Sequence, residues 1–156
     1  MELPCCARVV AQTVPIHRVG KTYVVNEGRS AIRAVFAPTL DDAKRTLGFR
    51  IELGFDPDYD IAPDMPGVYI KPRRHSRGCV VSIDMTAPAE AQVVEAATQV
   101  QEVLCDDDQV QLPGRLWPPC PSHAHHALVA GTQDGRAVWR CDASSVTIPI
   151  GQLGVE

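Results

Sequence analysis

Cys120 and His123 stand three residues apart in Trp117-Pro-Pro-Cys120-Pro-Ser-His123-Ala-His125-His126, and Cys141 follows in Trp139-Arg-Cys141-Asp-Ala-Ser144. Sulfur and imidazole nitrogen are the donors zinc takes, and a pair three apart on a sharply bent chain can grip one ion. Cys141 becomes the third candidate once a hairpin brings it back. A structural zinc site normally closes with four ligands, so His126, His125 or a cysteine from Cys5-Cys6 must complete it. The metal set expected from sequence is therefore Cys120, His123, Cys141 and His126, with Zn as the ion.

Other stretches could carry chemistry of a different kind. Arg73, Arg74 and Arg77 cluster around His75, and guanidinium groups so placed can hold phosphate or carboxylate. The same three charges could equally crown a solvated hairpin tip. His123, His125 and His126 could instead be read as three nitrogens on a hydrolytic metal that lowers the pKa of bound water. That spacing vaguely resembles the His-x-His-x-Asp-His signature of metallo-β-lactamase-like hydrolases, but it lacks the aspartate. Asp56, Asp58 and Asp60 are spaced like the start of a calcium loop, yet Ile61 and Gly67 stand where a turn glycine and a bidentate glutamate are required. No Gly-rich phosphate loop or G-x-S-x-G elbow occurs.

The tail resembles the zinc-ribbon or rubredoxin-like class on three features: a knuckle with proline after its first cysteine, an aromatic shortly before the third ligand, and a hairpin between. It also looks like the C-terminal tails of uncharacterised small bacterial proteins that carry Cys-Pro-x-His and Trp-x-Cys. The resemblance covers about 35 residues and implies a small metal-bearing hairpin. His123 takes the place of the second cysteine. Ser144 occupies the position of the second ligand in the other knuckle.

These residues need a body to hold them. Val, Thr and Tyr enrichment predicts strands at 8–14 and 19–25, with 31–37 returning as a third strand of a meander. Thr39 as N-cap, acids at 41 and 42 and Gly48 as stop predict a helix over 40–47. Alternation at Phe49, Ile51, Leu53 and Phe55 predicts a strand, and 56–67 reads as a loop. Further strands are expected at 68–71 and 79–85, then a helix over 87–104 with Val93, Ala97, Val100 and Leu104 on its buried face. Asp106 to Asp108 read as a surface turn before a brief strand at 110–112. In the tail, 126–131 and 136–141 should pair across Gln133-Asp134-Gly135, with 145–150 as a third strand. The expected fold class is α+β: a mainly antiparallel sheet with two helices over 1–112, then a ribbon-like β-hairpin over 113–156 packed on that body. Trp117 and Trp139 would anchor the two parts, or, if exposed, meet a partner.

Composition narrows the function. The chain has 156 residues, 45% hydrophobic and 22% charged, with a net charge of -4. Such a chain is long enough for one core, and the negative balance argues against a broad nucleic-acid interface. No apolar run approaches a membrane span, and the start lacks a signal peptide, so a cytoplasmic protein is expected. The six cysteines are then reduced or metal-bound rather than bridged. Cys79 and Cys105 read as small buried apolar residues. The function expected is a non-enzymatic binding or assembly module with a structural zinc site and a protein partner or self-association. The alternatives are a metal-dependent hydrolase using the histidine cluster and a nucleic-acid-binding accessory protein.

Overall fold

A computed structural model describes residues 24–55, 64–72, 79–105 and 116–155. Expectations for 8–14, 56–63, 106–115, Cys5-Cys6 and the Arg73, Arg74, Arg77 cluster fall outside the described residues, as does most of 19–25.

The element order is α1 (Val24–Leu47), β1 (Ile51–Phe55), β2 (Gly67–Pro72), β3 (Cys79–Ser82), α2 (Ala89–Cys105), β4 (Pro119–Cys120), β5 (His123–Ala127), β6 (Val129–Gln133), β7 (Arg136–Arg140) and β8 (Thr147–Pro149). Among the described residues every strand pairing is antiparallel, in sheets β1-β2-β3, β4-β5 and β6-β7-β8. The described residues form an α+β fold with two helices and a C-terminal hairpin.

The largest departure from the sequence reading is α1. The strand expected at 31–37 and the short helix at 40–47 are one helix that runs through Pro38. Ile32, Phe36, Thr39 and Ala43 are all buried, and their spacing of four, three and four residues is the stripe of a helix rather than the alternation of a strand. Thr39 is accordingly not an N-cap: it lies in mid-helix, fully buried, and its hydroxyl finds no partner. The stop at Gly48 is as expected, with φ of 71° and its N–H on the Lys44 carbonyl at 3.1 Å. A left-handed residue just past the last turn is how helices commonly end.

β1, β2 and β3 form a meander whose inner face carries Ile51, Val68, Ile70 and Val81. Arg29 and Arg33 of α1 lie over the Phe55 ring of β1 at 5.7 and 5.0 Å, a cation–π arrangement that caps the apolar seam. Before α2, Asp84 accepts the Thr86 N–H at 2.8 Å and the Thr86 hydroxyl at 2.6 Å. These bonds, the hydroxyl's first, hold the Asp84 carboxyl below its ordinary range.

α2 lies between the two larger sheets: it meets α1, β2, β6 and β7, and buries Ala96, Ala97, Val100, Val103 and Leu104. Gln133 and Arg136 face each other across Asp134-Gly135, both at positive φ (50° and 72°). That is the two-residue turn whose twist suits a hairpin. One continuous cluster of buried apolar side chains runs from Ile32 and Phe36 through α2 to Trp117, Leu128, Trp139 and Leu153. Cys79 is half-buried and Cys105 is exposed; at the end of α2 the Cys105 thiol faces the Trp117 carbonyl at 3.7 Å, so it is not the buried apolar residue its position suggested.

Candidate metal centre

The helices fix the tail before any site can form. Asp42, on the buried side of α1, is fully inaccessible and its carboxylate accepts four hydrogen bonds. Oδ1 takes Arg45 Nη2 at 2.7 Å and the Leu153 N–H at 2.8 Å. Oδ2 takes Trp139 Nε1 at 2.8 Å and the Gly151 N–H at 2.7 Å. Arg45 continues outward, donating from Nε to the Leu153 carbonyl at 2.8 Å and from Nη2 to the Gly151 carbonyl. A buried carboxylate is tolerated only with such complete compensation.

Trp117 donates from Nε1 to the Thr46 hydroxyl at 2.8 Å, and that hydroxyl donates to the Asp42 carbonyl at 2.8 Å. The two indoles meet edge to face, centroids 5.3 Å apart at 78°, the arrangement favoured by aromatic quadrupoles. Both are buried, at 1% and 0% exposure, so they anchor the tail and present nothing to a partner. From α2, Gln101 Nε2 donates to the carbonyls of Trp117 at 2.9 Å and Leu128 at 2.8 Å, while Glu90 accepts the Ala137 N–H at 2.7 Å.

On this platform β4 and β5 form a tight turn around Pro121-Ser122. Cys120 faces His123 across it, but Pro119 faces Ala127, so Ala124, His125 and His126 are additional residues on one side of the ladder. They bulge outward, as extra residues in a strand must. Cys141 directly follows β7 of the neighbouring sheet, and its N–H bonds the Val146 carbonyl at 3.0 Å. The His123 Nδ1 lies 3.4 Å from both sulfurs, Cys120 Sγ and Cys141 Sγ. All three donor atoms fall within 4.8 Å of one another. Tetrahedral zinc, with bonds of about 2.3 Å to sulfur and 2.0–2.1 Å to nitrogen, sets sulfur and nitrogen about 3.6 Å apart. The three donors are spaced to share one ion.

The two sulfurs are shielded, each residue 5% exposed, whereas His123 is half-buried. The Cys141 thiol is lowered to about 7, chiefly by the hydrogen bond from the Ser144 side chain. Burial opposes that shift, and the Ala143 backbone, Cys120 and His123 reinforce it. Ser144 thus stands where a second knuckle would carry a ligand and serves the sulfur instead. Its oxygen also accepts the Val146 N–H at 3.3 Å.

Of the residues expected to bind metal, Cys120, His123 and Cys141 are brought together. His126 lies beside them: its ring is 5.3 Å from that of His123, tilted by 60°, though it is not one of the three converging groups. His125 is exposed on the bulge. The hydrolase arrangement required His123, His125 and His126 around one point, and His123 turns its Nδ1 to the sulfurs instead. Sequence reasoning missed Asp42, Thr46, Gln101 and Glu90 as the residues that hold the site in place. Asp42 was legible in principle, because it sits three residues beyond Thr39 on the stripe begun by Ile32 and Phe36, where a polar residue signals a buried bond network.

No family model, curated protein or solved structure matches this chain.

Proposed function

We propose that Cys120, His123 and Cys141 bind a structural zinc ion in a non-enzymatic binding or assembly module, whose partner is another protein or a second copy of the chain. The observation that carries this reading is the convergence of two shielded sulfurs and one imidazole nitrogen from two different sheets. β4-β5 and β6-β7-β8 share no ladder, so an ion held by Cys120, His123 and Cys141 would be a direct cross-link between them. A metal that joins two small sheets contributes to folding outright. The sulfurs suit zinc better than calcium or magnesium, which take oxygen.

The test is elemental analysis of untagged protein beside a Cys120→Ser, Cys141→Ser double variant. The expected result is zinc near one per chain, lost in the variant. Equal and negligible metal in both would refute the site. Light scattering over a dilution series, with affinity capture on immobilised protein, then distinguishes self-association from a separate partner. Turnover of esters or phosphodiesters that disappears in His125→Ala would replace the module reading with the hydrolase one.

A further inference from the structure

Three converging donors leave one corner of a tetrahedron, and the residues around it differ in what they can offer. Ser144 is engaged by the Val146 N–H, which it accepts at 3.3 Å, and a serine hydroxyl is a poor zinc ligand. Asp142 pairs with Arg140 at 3.5 Å. Among the described residues His126 remains, carried back towards His123 by the bulge that interrupts β5. In a regular strand, residues three apart point to opposite faces; the bulge overrides this and sets the two rings side by side.

Their spacing carries the argument further. Two imidazoles on one tetrahedral ion, each bonded at about 2.0–2.1 Å, have ring centres about 5 Å apart. The observed separation is 5.3 Å with the planes tilted by 60°. His126 is exposed, so no packing opposes the ring rotation that would aim a nitrogen at the shared point. We infer that His126 is the fourth ligand, closing a Cys2His2 centre and leaving no corner of the tetrahedron for water or substrate. This inference rests on the zinc reading above and deepens it: the bulge exists to supply the last donor, and the ion is structural rather than hydrolytic.

Cobalt(II) titration of untagged, metal-free protein tests it, because cobalt reports both sulfur ligation and coordination number. Wild type should show a thiolate-to-cobalt charge-transfer band and the intense visible bands of a four-coordinate site. His126→Gln should keep the charge-transfer band and lose affinity by at least the ~10–100-fold that removal of even an outer-shell partner costs. Its visible bands should weaken, and added imidazole should restore them. His125→Gln should match wild type, and far-ultraviolet circular dichroism should show unchanged helix in both variants. Wild-type affinity and spectrum in His126→Gln would overturn the assignment while leaving the three-donor site intact. Absence of the charge-transfer band in wild type would overturn the zinc reading itself, and this inference with it.

Discussion

Asp42 and the Cys120–His123–Cys141 group lie in the same tail-to-helix assembly, and each gathers polar atoms from distant parts of the chain. At Asp42, two carboxylate oxygens meet four N–H donors and no lone pair is left wanting. At the other centre, one ring nitrogen faces two sulfurs, three atoms that all donate electron pairs once the thiols are deprotonated. A saturated network locks a fold; a group of converging donors calls for a cation. Burial alone would not have separated them, since Asp42, Cys120 and Cys141 are all buried.

The contrast can be broken most forcefully at the saturated end. Asp42→Asn turns an acceptor into a donor that faces N–H groups, and should cost about 3–5 kcal/mol, as breaking a buried charged network does; urea denaturation of the metal-free protein should already show that loss. At the other centre the effect should depend on metal. Chelation, or Cys120→Ser with Cys141→Ser, should remove about 2.7 kcal/mol when zinc stands at 100 times its dissociation constant. In thermal melts the metal-free wild type and the double variant should then nearly coincide. Gln101→Ala removes a shared donor from the Trp117 and Leu128 carbonyls and should cost about 1–3 kcal/mol, read by the same denaturation. It should also lower zinc affinity, because those carbonyls flank the β4-β5 turn.

The smallest effect sharpens the comparison through pH. The Cys141 thiol is lowered to about 7 in the folded protein, below its value in the unfolded chain. Between those two values the unfolded state binds the extra proton, so metal-free stability should rise with pH there and level off below about 7. Ser144→Ala removes the main cause of the shift and should flatten that rise in urea titrations at stepped pH. Zinc loading of wild type should fall as pH drops through about 7, since a ligating thiol must be deprotonated.

The hairpin and the second helix were legible because each rests on local signals. Asp134-Gly135 supplies the positive φ that a two-residue turn needs, and Val93, Ala97, Val100 and Leu104 recur at helical spacing. The first helix was obscured by Pro38, which reads as a boundary although α1 continues through it. The three-donor group was visible as types and spacing, but the partners that set its position were not. Glu90 meets Ala137 and Asp42 meets Gly151 across separations of 47 and 109 residues, and no local pattern encodes such pairings. The bulge at 124–126 was hidden for a related reason: a ladder offset depends on the opposing strand, not on the sequence of the bulged one.

Gly151, at φ of 98°, lies so close to Pro38 that a Cβ there would come within 3.0 Å of the proline ring. The helix segment without an amide hydrogen at Pro38 is thus covered by a residue made long after it. During vectorial synthesis α1 must wait for the chain to extend 109 and 111 residues beyond Asp42 before its buried acid meets the amides of Gly151 and Leu153. Closure of so long a loop belongs late on the folding pathway, and a ribosome stalled before the Gly151 codon would hold a nascent chain whose interior is still open to water.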